Sequence, residues 1–224
     1  MTATSLLSAL FPADVAAAET RQPGAAAQLY PEEAEHVAKA IAKRVGEFAA
    51  GRLCARRALQ RLGVRDFPLK MGEDRRPLWP QGIVGSITHT HGFYGVAAAR
   101  EAQYRSIGVD AEVIGRIGRH LWPKVCSPGE TIWLESLPEA EQLRLGALIF
   151  SAKEAFYKCQ YGLTHAWVGF HDVELDPAAC DLHGGHFTVR PLVPLALEQR
   201  LPRPWSGRCR FEPDLVLSGM IVPA

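Results

Sequence analysis

The run Ile107-Gly108-Val109 ends in Asp110-Ala111-Glu112. Side chains two apart on a β-strand leave the same face, so Asp110 and Glu112 set two carboxylates side by side. Like charges at the exit of an apolar strand are costly unless something positive lies between them. A hard divalent cation held by oxygen donors, Mg²⁺ with Mn²⁺ as the alternative, is one solution; a solvated acidic turn is the other. A second constellation is Ser151-Ala152-Lys153-Glu154-Ala155-Phe156-Tyr157-Lys158. Glu154 lies off the apolar side of a helical pattern, with Lys158 one turn later in the favourable order. It reads as an exposed ion pair, or as a third carboxylate with lysines set for phosphate. The third constellation is basic, with Arg44, Arg52, Arg56, Arg57 and Arg61 followed by Arg75-Arg76. Arg44, Arg52 and Arg56 recur near whole helical turns. They share either a solvated face or a stripe of guanidinium forks suited to phosphate. The fourth is Thr88-His89-Thr90-His91. With three carboxylates available as oxygen donors, histidine ligation of a metal is not required. His89 fits better as a donor to an anion, and His91 as a turn residue before Gly92.

These groups need elements to hold them. Residues 31–62 are rich in Ala, Glu, Lys and Arg, with Pro31 and two glutamates near a helix start. Phe48, Cys54 and Leu62 are expected on buried faces. Gly46 and Gly51 interrupt the pattern and predict two helical pieces. Residues 63–82 read as a loop with short extended pieces. Residues 83–90 and 93–100 form a hairpin about His91-Gly92, and 106–114 a third strand. Short helical segments fall within 127–142. Over 143–159, Leu145, Leu148, Ile149, Ala152, Phe156 and Cys159 repeat at three- and four-residue steps, predicting an amphipathic helix stopped by Gly162. HDVEL, HFTVRPL, RCRF and LVLSGMIV are short strand-like runs. The fold class is α+β, with helices and antiparallel hairpins in both halves and no visible repeat.

Bulk properties narrow the function. A chain of 224 residues suits one large domain or two smaller ones. Its 47% apolar and 22% charged residues are ordinary globular composition, and a net charge of +1 makes no case for nucleic acid or an anionic membrane. Five scattered cysteines, without C-x-x-C, are expected to be reduced thiols rather than a disulfide framework or zinc knuckle. The N-terminal stretch lacks the positive region of a signal peptide, and no run approaches a membrane span, so a cytoplasmic location is expected.

Taken together, GSITH (85–89), IGVDAE (107–112) and FSAKEAFYK (150–158) resemble the signature pieces of the 4′-phosphopantetheinyl transferases, which activate carrier proteins of siderophore, nonribosomal peptide and polyketide synthesis. R-x-x-EF-x-x-x-R-x-CAR-x-AL (44–59) and RRPLWP (75–80) look like the enterobactin- and surfactin-synthetase-activating type. The resemblance spans about residues 44 to 163. It implies an enzyme that moves the phosphopantetheine arm of coenzyme A to a serine of acyl or peptidyl carrier proteins, releasing adenosine 3′,5′-bisphosphate. It implies Mg²⁺ ligation by Asp110, Glu112 and Glu154. Thr88 and His89 match the residues at the coenzyme 3′-phosphate. Arg44 and Arg52 match basic residues at the nucleotide phosphates, and Arg76 a basic position near the nucleotide. Lys153 and Lys158 match motif lysines, with Lys158 favoured for the pyrophosphate, and Asp110 also borders the coenzyme. The catalytic pair would be Glu154, as base, and Lys158. The implied architecture is two similar α+β halves, residues 1–114 and 115–224, about a pseudo-twofold axis with the coenzyme cleft between them, in a monomer. A two-metal hydrolase built on H-x-H and D-x-E lacks a second set of ligands in this sequence. A non-catalytic coenzyme- or carrier-binding module would not need all three acids.

Overall fold

The computed structural model describes residues 5–181, 183–195, 200–201 and 203–224. Strand β1 (Ala16–Thr20) leads to a short helix α1 (Pro31–Ala34) and the long helix α2 (Ala42–Arg61). Strands β2 (Ile83–Thr90), β3 (Phe93–Arg100) and β4 (Tyr104–Val113) follow. Helices α3 (Trp122–Val125), α4 (Pro128–Glu135) and α5 (Glu139–Thr164) precede β5 (Val173–Cys180), β6 (Gly184–Pro191), β7 (Trp205–Phe211) and β8 (Leu215–Pro223). The strands make two antiparallel sheets, ordered β1-β3-β2 and β4-β8-β7-β6-β5. The α+β class and the 83–100 hairpin are as the sequence predicts.

Three expectations about helices change. The two helical pieces within 31–62 divide at residues 38–41, not at the glycines, and α2 runs unbroken through Gly46 and Gly51. Both glycines face close neighbours: a Cβ on Gly46 would lie 3.3 Å from the Gly24 carbonyl, and one on Gly51 3.4 Å from Ile87. Their small size seats the helix on the first sheet, whose central strand β3 is lined by Ala97, Ala98 and Ala99, all fully buried. The amphipathic helix is also longer than 143–159. It passes Gly162 and ends where His165 turns left-handed at φ 54° and donates its N–H to the Tyr161 carbonyl.

The period of two along β4 separates two cores. Ile107, Val109 and Ala111 point into a cluster with Leu7, Leu10, Phe11, Phe93, Leu215 and Leu217. Ser106, Gly108 and Asp110 turn the other way, toward α5. The predicted apolar face of α5, from Leu145 to Cys159, is buried against the second sheet. Each large side chain fully buried there contributes roughly 1.5–3 kcal/mol. The N-terminal segment bridges both sheets. Leu7 fills the space above Gly95 in β3, and Phe11 the space above Gly219 in β8. The Glu19 carboxylate accepts from the Leu6 and Leu7 N–H groups and the Ser5 hydroxyl, fixing this turn.

The two sheets meet edge to edge at β2 and β4 without joining into one ladder. Side chains make the seam: the Ser86 hydroxyl accepts from the Val109 N–H at 3.1 Å, and the Thr88 hydroxyl donates to Asp110 at 3.2 Å.

Where β4 passes beneath α5, a Cβ on Gly108 would lie 1.9 Å from the Ala155 carbonyl and 2.8 Å from Cys159. Gly108→Ala is therefore expected to cost at least ~2 kcal/mol, from overpacking between rigid backbones. Equilibrium denaturation would detect this; an unchanged midpoint would show that the helix can retreat at no cost.

Candidate active site

Asp110, Glu112 and Glu154 lie near the β4–α5 crossing, close enough to act on one another's charge. Asp110 is buried, and its Oδ1 accepts from Lys158 Nζ at 2.7 Å as well as from Thr88. Lys158 Nζ also reaches the Val109 carbonyl at 3.3 Å. The other Asp110 oxygen, Oδ2, is buried without a hydrogen-bond partner among the described residues. Glu112 follows two positions along the same face of β4, and Glu154 sits one helical turn before Lys158. Burial, followed by the charge of Asp110, raises the Glu112 carboxyl to about 7. Burial also raises Glu154, with Lys158 opposing and Asp110 reinforcing the shift. Burial works against the charge on Lys158, but Asp110, Glu154 and Glu112 outweigh it and hold the ammonium above its usual range. Lys158 acts on all three carboxylates, and Arg116 also opposes the rise of Glu112.

These residues fit a hard divalent cation in chemistry. The donors are oxygens, one of them orphaned and buried, and two of the three carboxyls are starved of positive charge. As they stand they do not converge: among the described residues no three His, Cys, Asp or Glu side chains form a cluster that would hold a metal ion. Lys158 occupies Oδ1 of Asp110 and leaves Oδ2 open.

A cleft of about 620 Å³ opens beside this group, between β2, the first turns of β4, α2, α5 and the 71–79 loop. Arg44, Arg52, Arg76, His89 and Lys158 all line it. Arg52 is buried with its guanidinium 4.0 Å above the Phe48 ring; burial lowers it to about 10, still charged at neutral pH. Arg44 lies 3.4 Å from Nε2 of His89. Burial, then the charge of Arg44, lowers the His89 pKa, so the neutral ring can donate one N–H to an anion. Arg76 is held by Asp74 at 3.1 Å and approaches the His165 ring at 3.4 Å. Thr88 lies behind His89, buried and turned to Asp110. His91 is exposed in the turn.

Two basic residues depart from expectation. Arg56, one turn beyond Arg52 on α2, does not line the cleft; it pairs with Glu33 at 3.0 Å and covers the Tyr30 ring. Lys153 is not in the cleft. Its buried ammonium donates to Glu130 at 2.7 Å and to the carbonyls of Val125 and Phe170. Glu130 is in turn the capping-box partner of Ser127 at the start of α4 and accepts from the Leu175 N–H. Lys153 thus ties α3, α4 and α5 to the residues entering β5, and has no donor left for a phosphate. The reading from residue types also missed Glu47, which approaches Arg44 at 3.6 Å and His89 at 3.8 Å. Its three-residue spacing from Arg44 was the available signal. Trp79, Tyr157, Tyr161 and Arg105 line the cleft as well; their types alone gave no signal.

The elevated Glu112 pKa has a stability consequence in metal-free protein. The unfolded carboxyl ionises near 4.5, while the folded one keeps its proton to about 7. Stability therefore falls as pH rises through that window, and the full penalty acts above it. The shift corresponds to ~3 kcal/mol at 1.36 kcal/mol per pKa unit, reduced to roughly 1–2 by solvent contact. In EDTA, Glu112→Gln should exceed the parent in stability by that margin at pH 8 and match it near pH 4.5. Equal stability at both pH values would show that Glu112 is not strained by its neighbours.

Comparison with known proteins adds independent findings. Residues 32–99 match the model of the 4′-phosphopantetheinyl transferase N-terminal domain, and residues 106–205 that of the 4′-phosphopantetheinyl transferase superfamily. The chain is 46% identical over 167 residues to 4′-phosphopantetheinyl transferase Svp of Streptomyces mobaraensis, covering 74% of this chain and 67% of that one. It is 34% identical over 230 residues to 4′-phosphopantetheinyl transferase PptT of Mycobacterium tuberculosis, covering 99% and 100%. Enterobactin synthase component D of Salmonella typhimurium is 38% identical over 118 residues, covering 52% and 48%.

Proposed function

Because the chain belongs to the 4′-phosphopantetheinyl transferase superfamily, we propose that it transfers the phosphopantetheine arm of coenzyme A to a serine hydroxyl of apo acyl or peptidyl carrier proteins, leaving adenosine 3′,5′-bisphosphate. The observation that carries the reading is the junction of a basic cleft with the Asp110–Lys158 pair and its flanking glutamates. The carrier class is that of siderophore, nonribosomal peptide or polyketide synthesis, in keeping with the enterobactin synthase relative.

The chemistry is mainly positioning and charge neutralisation. Arg44, Arg52 and His89 hold the nucleotide phosphates, with Glu47 orienting Arg44 and His89. Thr88 acts from behind by fixing Asp110. Arg76 borders the nucleotide from the loop side. Asp110, Glu112 and Glu154 would hold Mg²⁺, which when bound neutralises pyrophosphate charge and lowers the cost of the leaving group. Lys158 places its ammonium at the pyrophosphate and stabilises charge that develops as the bridging bond breaks. Glu154 takes the serine proton as the hydroxyl attacks the β-phosphate; its raised pKa suits a base working near neutrality. We retain the division into halves, residues 1–114 and 115–224. β4 stands at their boundary, packed on β2 and hydrogen-bonded to β8. A monomeric cytoplasmic enzyme is part of the proposal; among the described residues no helix is long and apolar enough to cross a membrane.

The test is intact-mass analysis of apo carrier proteins incubated with the protein, coenzyme A and Mg²⁺, with and without EDTA. One phosphopantetheine per carrier, formed only with the metal, supports the proposal. No mass shift on either carrier class from folded protein would overturn it. Glu154→Gln is expected to lower turnover at least 100-fold while coenzyme binding persists. Arg52→Ala and His89→Ala should mainly raise the coenzyme KM, by tenfold or more. Near-normal turnover in the first variant, or unchanged KM in both others, would remove those roles.

A further inference from the structure

The five cysteines divide into two kinds. Cys54, Cys126 and Cys159 are buried, and burial pushes their thiols up to about 11, 12 and 12. Thiols of this kind are inert. Cys180 and Cys209 are different. They stand on β5 and β7, which are not neighbours, because β6 runs between them. Cys180 is in register with Gly185 of β6, and so is Cys209. Residues directly opposite across antiparallel strands project from the same face. At that register position β6 has no side chain to separate the thiols, and Gly185 holds φ 145°, a value other residues rarely adopt. The two sulfurs lie 3.1 Å apart. Cys180 is half-buried at the sheet edge, whereas Cys209 is 5% exposed and packs in the core beneath it.

We propose that Cys180 and Cys209 form a thiol–disulfide pair, an oxidisable modification site outside the cleft, whose closure across Gly185 ties edge strand β5 to β7. The sulfur–sulfur contact lowers the Cys180 thiol and raises Cys209, so Cys180 is the thiol that ionises first. The co-reactant is a small disulfide, RSSR. The Cys180 thiolate attacks one of its sulfurs, forming a mixed disulfide and expelling RS⁻. Cys209 then gives up its proton and attacks the Cys180 sulfur, expelling the second RS⁻. The protein loses two electrons and two protons, and RSSR becomes two RSH. Among the described residues, Cys209 is the thiol in contact with the Cys180 sulfur and so the one placed to resolve the mixed disulfide.

The experiment treats reduced full-length protein with oxidised glutathione, quenches by alkylation, and reads intact mass and non-reducing peptide maps. The parent should lose two hydrogens, yield a single cross-linked peptide joining Cys180 to Cys209, revert with dithiothreitol, and melt about 5 °C higher when oxidised. Cys209→Ser should stop at one glutathione adduct on Cys180. Cys180→Ser should react at least tenfold more slowly. A parent protein that accumulates the Cys180 adduct while Cys209 remains free for alkylation would overturn the proposal. So would first reaction at Cys54, Cys126 or Cys159.

Discussion

Contact between one strand and one helix sets the geometry of the site. Gly108 lets α5 approach β4 so closely that the Ala155 carbonyl lies over the strand where any side chain would stand. Ser106 donates to the Cys159 carbonyl one step along, and Asp110 meets Lys158 one step the other way. Three successive same-face positions thus do three jobs: one latches the helix, one admits it, and one meets its charge. With a Cβ at position 108 the helix would stand off, and Asp110 and Lys158 would be held apart instead of meeting at 2.7 Å.

At that distance the electrostatics are finely divided. Three carboxylates lie near the crossing, and the Lys158 ammonium is bonded to one oxygen of one of them. The rest of the negative charge is left to raise the proton affinity of Glu112 and Glu154. Such a group is poorly compensated in isolation and receptive to further positive charge. The basic cleft alongside has the opposite imbalance, with Arg44, Arg52 and His89 facing one another and only Glu47 between two of them. The two regions share a wall. A ligand bearing phosphates, together with a cation, would relieve both.

Much of this was legible in the sequence, and particular residues explain what was not. Asp110, Glu112 and Thr88 obey the period of two, so pattern alone put them on definable faces. The apolar face of α5 followed from a period of 3.6. The lysines were harder, although one signal was present. Lys153 and Lys158 are five positions apart, about 140° around a helix, so they cannot both face a ligand. Choosing between them required Glu130, whose role as capping partner to Ser127 was visible locally but whose distance from Lys153 was not. Strand β1 and the turn before it carry little pattern. The strand is fixed by pairing with β3, and the turn by sockets above Gly95 and Gly219 that the assembled sheets supply. The stop expected at Gly162 failed because glycine there relieves crowding against Ser106 rather than ending a helix.

That N-terminal segment couples the two sheets. Leu7 seats on β3, Phe11 on β8, and Arg21 forms an ion pair with Asp214 just before β8. β8 in turn is the strand that joins β4 to the rest of its sheet. One short segment therefore touches both sheets at once, and a substitution that lifts it from its seats would loosen β3 and β8 together.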